Sequence, residues 1–370
     1  MSKIDDLIAK HCPDGVNHKG IGDIWVRQKK SKYGVARIQE LESGDNICFT
    51  SGNNTFFVKD CLVDGECLFM NDGGVADIKY HKGKAFYTDH VFAFSIQPEI
   101  GILTKYVYYC LKNKQDYINE FLFKGSGLKN LNKKDFAKFK IPLPPLAVQQ
   151  EIVRILDSFT ELETELETEL EARKKQYEHY RDELLNPENM KGDVNIVKFA
   201  EVVQINRGVR LVKSQLSENV GHPVFQNSLT PLGYYDKANC PANTPFVISA
   251  GAAGDIGYSN IPYWAADDCW YFSTDANILP RYLYFFLKHK QYVIKSRVRK
   301  ASIPRLSKSS IERLEIPIPP LAEQERIVAI LDKFDALVND ISDGLPAEIN
   351  ARRQQYEYYR DKLLSFPMAA

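Results

Sequence analysis

Most of this chain is written twice. IPLPPLAVQQEIVRILDSF (141–159) returns 175 residues later as IPIPPLAEQERIVAILDKF (316–334). ARKKQYEHYRDELL (172–185) returns 179 residues later as ARRQQYEYYRDKLL (351–364). Repetition of this length constrains a fold strongly, because each copy of a repeated segment forms the same structural unit. The second copy carries four extra residues between its two blocks. Fainter echoes lie upstream: ADIKYHKGKAFYTDHVFAF (76–94) matches GDIGYSNIPYWAADDCWYF (254–272), and KYVYYCLKNK (105–114) matches RYLYFFLKHK (281–290). The expected organisation is globular, helical, globular, helical, with segments 1–140, 141–187, 188–315 and 316–370.

The helical segments have readable ends. Prolines 142, 144 and 145, and again 317, 319 and 320, impose an extended entry. Ile152, Ile155, Leu156 and Phe159 then follow helical spacing, as do Ile327, Ile330, Leu331 and Phe334. Residues 146–185 would make roughly 60 Å of continuous helix. In the second copy Gly344 can end one helical stretch and Pro346 begin another, which predicts an interruption. In the globular segments, short runs such as NICFT, ECLFM, TPFVIS and CWYF between Gly, Asn and Asp clusters predict strands, with YVYYCLKNK and YLYFFLKHK as packed helices. The predicted class is α+β: two mixed α/β globular domains joined by two long antiparallel coiled-coil helices, with an internal pseudo-two-fold repeat.

A net charge of zero conceals an alternation. Residues 1–140 hold 21 Lys/Arg against 17 Asp/Glu, and residues 186–315 hold 16 against 11. The intervening segments are acidic, with 5 against 11 over 141–185 and 6 against 9 over 316–370. Basic lobes on acidic helices suggest a polyanion partner. A pseudo-dimer in one chain would read DNA as a true dimer does, in two half-sites at fixed spacing. The unlike lobes would read unlike half-sites. The seven cysteines include no CxxC pair and read as reduced, mostly buried thiols. No apolar run reaches membrane length, and the start MSKIDDLIAK lacks a signal-peptide core. The expected compartment is the cytoplasm.

No active site is visible in the sequence. Pro144-Pro145 and Pro319-Pro320 lie between apolar residues, with no polar group to grip a base amine. GAAGDIG (251–257) lacks G-x-G-x-x-G spacing and reads as a tight turn. Asp77-Ile78-Lys79 could end a nuclease motif, but its counterpart Asp255-Ile256-Gly257 loses the lysine. The seven histidines show no metal-ligand spacing. Candidate DNA contacts are Lys29, Lys30 and Lys32; Lys79, Lys82 and Lys84; and Lys124 and Lys129 in the first lobe. In the second lobe they are Arg207, Arg210 and Lys213, with Arg297, Arg299, Lys300 and Arg305. FKGSGLKN and RKASIPRL occupy matching places ahead of the helices.

The duplicated I-P-[LI]-P-P-L-A-x-Q-x-x-I-V-x-I-L-D and A-R-[KR]-[KQ]-Q-Y-E-x-Y-R-D-x-L-L blocks closely resemble the specificity subunit of type I restriction–modification systems. HCPDGV near the start and the lead-ins DFAKFKIP and IERLEIP match the same family habit. The resemblance covers essentially the whole chain. It implies two target recognition domains, each reading half of a bipartite asymmetric site, on helices that set the spacer. It also implies docking of two methyltransferase subunits, which bring S-adenosylmethionine and adenine-N6 chemistry. Restriction/translocase subunits would join them, with ATP and Mg on partners and no cofactor or metal on this chain. Leu146 and Gln149, with Leu321 and Gln324, are the docking candidates because their block is polar and duplicated. Tyr177, Tyr180, Tyr356 and Tyr359 suit packing between helices, or alternatively docking.

The same resemblance gives TELETELETELE (160–171) a purpose. Four residues advance a helix by ~6 Å with a net turn of ~40°. One base pair advances ~3.4 Å and turns ~35°. Each TELE unit is therefore expected to act as a ruler step for the unread spacer, matched in turn though not in rise. Beside it stands the plainer reading of a solvated acidic helix whose Leu162, Leu166 and Leu170 pack on the partner helix. Two other readings stay open: a coiled-coil interaction protein without a nucleic-acid role, and a self-sufficient methyltransferase or nuclease.

Overall fold

The structure, a computed structural model, describes residues 3–52, 54–340 and 343–369. Five helices carry the frame: α1 (Thr104–Asn113), α2 (Leu146–Leu184), α3 (Pro280–His289), α4 (Leu321–Asn339) and α5 (Leu345–Leu364). Helix α2 starts beyond the prolines and runs unbroken for 39 residues. The second copy breaks where glycine and proline predict. Asp340 is extended, and Gly344 N–H donates to the Asp340 carbonyl at 3.1 Å. A Cβ at Gly344 would lie 2.5 Å from the Ala336 carbonyl oxygen, so no larger residue fits that turn. Among the described residues no helix is long and apolar enough to cross a membrane.

The chain folds as two compact units: Met1–Glu165 with Ile349–Ala370, and Leu166–Glu348. Each unit combines one lobe, the first half of one repeated helix and the second half of the other. In the first unit Phe159 on α2 packs on Tyr356 and Tyr359 of α5, at centroid distances of 6.2 and 5.7 Å. One turn further along α2, Glu163 pairs with Arg353. Partner numbers fall as α2 numbers rise, so these helices run antiparallel. In the second unit Phe334 of α4 packs on Tyr177 and Tyr180 at 6.5 and 5.2 Å. Phe334 repeats Phe159, and the tyrosines repeat one another. All four candidate tyrosines thus belong to helix seams. The first unit is closed by the chain's end, where Val16 N–H donates to Pro367 O and Ala369 N–H to Val16 O.

The two lobes share a topology that their sequences barely reveal. In the first, β1 (Trp25–Arg27), β2 (Glu66–Asn71), β3 (Ile78–Lys82) and β4 (Val91–Ile96) form an antiparallel sheet in the order β1-β4-β2-β3. A short hairpin, β5 (Phe123–Lys124) and β6 (Asn130–Leu131), follows. In the second, β7 (Val203–Arg207), β8 (Thr244–Ile248), β9 (Ile256–Ser259) and β10 (Cys269–Thr274) repeat the order as β7-β10-β8-β9. Each lobe adds a three-stranded sheet with one parallel and one antiparallel pair. Trp25 fills the first core against Phe92, Phe94 and Phe136, 5.3–5.8 Å away. In the second, residues 282–287 of α3 are all buried.

The same three contacts lock each lobe to its long helix. Tyr106 hydroxyl donates to Pro142 O at 3.1 Å, and Tyr282 to Pro317 O at 2.7 Å. Lys105 pairs with Asp157 at 2.8 Å, and Arg281 with Asp332 at 2.6 Å and Asp335 at 2.9 Å. The third contact revises an expectation. Gln149 and Gln324 are 2% and 0% exposed, so neither offers a surface for docking. Gln324 Oε1 accepts from Leu279 N at 2.9 Å, while its Nε2 donates to Asn277 O at 2.8 Å and Pro319 O at 2.9 Å. Gln149 does the same with Leu103 N, Gly101 O and Pro144 O. A glutamine serves because one amide both caps the orphan N–H at the start of α1 or α3 and satisfies the carbonyls of the proline entry.

Gln324→Ala is expected to lower unfolding free energy by about 2–4 kcal/mol in urea titrations, because the three hydrogen bonds of a buried amide are lost and a cavity opens. Gln324→Glu would be no better, since its carboxylate faces two carbonyl oxygens. Loss under 1 kcal/mol for both would contradict the clamp.

Candidate nucleic-acid interface

Each lobe brings the same four elements together at one matching place. In the second lobe it is a cavity of about 380 Å³ lined by Arg207, Asp267, Asp268, Trp270, Arg305 and Lys308, among others. Arg207 ends the edge strand β7, directly across from Trp270 on β10. Asp267 and Asp268 come from the turn entering β10. Arg305 closes a hairpin whose neck is Arg299 paired with Arg305. Lys308 opens the helix Lys308–Glu312.

The first lobe presents the matching parts. Lys29 continues the edge strand β1 two residues past Arg27, towards Phe92, which stands where Trp270 stands. Arg27 lies over Trp25 at 4.5 Å and Phe92 at 5.9 Å, and Lys133 lies over Phe92 at 5.1 Å. Lys133 opens the helix Lys133–Ala137 and pairs with Asp72 at 2.7 Å. Asn130 takes the place of Arg305. Asp89 takes the place of Asp267, and its Oδ1 is buried without a hydrogen-bond partner.

The matched hairpins are pinned alike. Gly74 N–H donates to Lys129 O at 2.8 Å and Gly251 N–H to Pro304 O at 3.2 Å. Both glycines have left-handed φ, +86° and +87°, which turns these N–H groups onto the hairpin. Leu131 N–H to Asp72 O and Leu306 N–H to Ser249 O complete each attachment. GAAGDIG is thus a turn that seats a hairpin.

The basic residues singled out in the sequence separate by position, with Lys124 apart from the rest. Arg207 and Arg305 line the second lobe's cleft and Lys29 follows the first lobe's edge strand, with Lys129, Arg299 and Lys300 on the hairpins and Arg297 just ahead of the second. All seven are exposed, and among the described residues no carboxylate pairs with them. Arg207 Nε donates to Asp267 O at 3.3 Å and Arg297 to Ser310 O at 2.7 Å, contacts that orient both guanidiniums. Lys30, Lys32, Arg210 and Lys213 are exposed on the loops that leave the edge strands. Lys79, Lys82 and Lys84 fall elsewhere. Strand β3 is the opposite sheet edge from β1, three strand spacings or roughly 14 Å away. Lys79 pairs with Asp77 and Lys82 with Glu66, both at 3.3 Å. Lys124 is bound by Asp135, and its ammonium holds that carboxyl below the usual range.

Sequence reading missed Arg27, Phe92, Lys133, Asp89, Asp267, Trp270 and Lys308. One signal was present: Lys133 and Lys308 each stand eight residues ahead of a duplicated Ile-Pro. Among the described residues no group of three or more His, Cys, Asp or Glu is placed to hold a metal ion. On α2, Leu162, Leu166 and Leu170 are half-buried, while most of the intervening glutamates are exposed. Leu146 and Leu321, at the helix starts, are 43% and 42% exposed.

Comparison with known proteins gives this duplicated arrangement its family. The sequence model of the type I restriction modification DNA specificity domain matches twice, over residues 7–173 and 191–351. A Haemophilus influenzae chain named as a type I restriction enzyme specificity subunit is 32% identical over 359 residues, covering 88% of this chain and 90% of its own. The EcoR124I/EcoR124II specificity subunit of Escherichia coli is 33% identical over 293 residues, covering 72% and 71%. The crystal structure of a type I restriction-modification S subunit from M. genitalium shares the fold, with a TM-score of 0.72, 19% identity, and coverage of 95% and 96%. The chain belongs to the family of type I restriction–modification DNA specificity subunits.

Proposed function

We propose that each cleft reads one half of a bipartite, asymmetric duplex site, so that this chain is the non-catalytic recognition and scaffold subunit of a larger enzyme. The observation that carries this reading is the duplicated frame around the cleft. A strand-edge cation, an aromatic, a helix-start lysine and a turn carboxylate recur in equivalent places, while the hairpin residues differ between lobes. Lysines and arginines suit phosphates and guanine edges, and carboxylates accept from cytosine amino groups. Equivalent frames with unlike contact residues fit two unlike half-sites.

Two methyltransferase subunits would dock at the exposed helix starts. Leu321 borders a groove of about 490 Å³ lined by Ile196, Ile278 and Ile318 together with Asp193, Asp275 and Asn277, which offers one partner a mixed apolar and acidic seat. Those subunits would carry S-adenosylmethionine and the adenine-N6 chemistry. Restriction/translocase subunits would carry ATP and Mg, all in the cytoplasm with the chromosome.

Duplex binding by the full chain, alone and with its cognate methyltransferase subunits, tests the recognition role. Selection from random duplexes is expected to return two short motifs at fixed spacing, with affinity falling steeply as salt rises. An absence of salt-sensitive duplex binding in both preparations would leave the coiled-coil interaction protein as the better reading.

A further inference from the structure

The two hairpins agree in a detail that cleft recognition does not require. Lys124 pairs across the first neck with Asn130, and Arg299 across the second with Arg305. Each neck therefore encloses a five-residue tip, Gly-Ser-Gly-Leu-Lys in one lobe and Lys-Ala-Ser-Ile-Pro in the other. The tips share no residue type at any position except for one property: the fourth is a large aliphatic. Leu128 is 68% exposed and Ile303 is 53% exposed. Scattered apolar side chains on a surface are ordinary. Two at the same register of equivalent tips, each with an exposed cation beside it in the tip, are a built feature.

Resting on the DNA-recognition reading, we propose that Leu128 and Ile303 are wedges that enter the base stack of the bound duplex, one in each half-site. The tips have what a wedge needs. Each base is pinned to the end of a sheet strand by two main-chain hydrogen bonds, so the aliphatic is backed by the sheet. Lys129 on one side, and Arg299, Lys300 and Arg305 on the other, supply charge to hold the flanking phosphates. Leucine and isoleucine are side chains that DNA-bending proteins insert between base steps. Each wedge would kink its half-site and press the bases next to it towards the cleft of its own lobe. Specificity would then include the ease of unstacking one step, which favours a pyrimidine–purine step at that point.

The test uses the full chain with its cognate methyltransferase subunits on duplexes carrying 2-aminopurine at successive positions of both half-sites. Wild-type protein is expected to raise fluorescence at one position per half-site, reporting an unstacked base. Leu128→Ala should abolish the rise in one half-site only, and Ile303→Ala in the other. Each should weaken binding by about ten-fold while leaving the thermal unfolding midpoint unchanged, because both side chains are exposed. Tight, salt-sensitive binding without any fluorescence rise would overturn the wedges and leave recognition standing. No duplex binding by wild type would overturn both.

Discussion

Charge reversal of Arg207 and Arg305 together is expected to weaken duplex binding by about 30-fold to 10⁴-fold, the effect of losing two contacts worth ~1–3 kcal/mol each. The two side chains line one cleft, and both are exposed, so the loss is not a loss of folding. The salt dependence should become shallower by about two, since each released phosphate contact contributes ~0.9 to the slope. Sequence preference should vanish in one half-site and persist in the other, because the first lobe is untouched. Lys82→Glu with Lys84→Glu is the matching control on the far sheet edge of the first lobe and should change affinity by less than about three-fold. A comparable loss from both pairs would mean that the basic lobes act as a diffuse field rather than through the clefts.

The second large effect is expected from removing one ruler step. Deleting Thr164–Glu167 shortens α2 by one TELE unit inside its exposed stretch. The junction between the two compact units, at Glu165 and Leu166, falls within the deleted step. The partner copy is interrupted between Asn339 and Leu345, so it can follow the change without breaking a continuous helix. The variant should bind the original site at least about 100-fold more weakly, because one half-site falls out of register and its contacts are forfeited. It should select a site with the same two half-motifs and a shorter unread spacer. An unchanged spacer would sink the ruler and leave recognition intact.

The sequence made some of this legible and hid the rest for physical reasons. Long duplicated blocks with prolines at one end announce helices, since proline and 3.6-residue periodicity act locally. The break at Gly344 and Pro346 was readable for the same reason. The antiparallel pairing of the repeated helices was expected from their duplication, but which side chains meet across the seam was not readable. Phe159 meets Tyr356 across nearly 200 residues, and the pairing emerges only when the antiparallel seam forms. Gln149 and Gln324 misled because a polar, repeated residue looks like surface until the orphan N–H it caps is in view. The clefts were half visible. Runs of Lys and Arg stand out in a sequence, but Lys79 and Lys29 look alike until sheet order puts them on opposite edges. Phe92 and Trp270 read as core strand residues, and Phe92 is one, while Trp270 is half-buried against the second core and also lines the cleft.

The central claim is that each lobe reads its own half-site, and exchanging a lobe tests it most directly. The duplicated locks allow the exchange: the tyrosine, the ion pair and the glutamine clamp recur at both junctions. A chain carrying the first lobe in both places, assembled with the cognate methyltransferase subunits, would be assayed by sequencing methylated sites in random DNA. The expected result is a site in which both halves carry the first lobe's motif at the original spacing. Retention of the native asymmetric site, or changes in both half-motifs together, would contradict it.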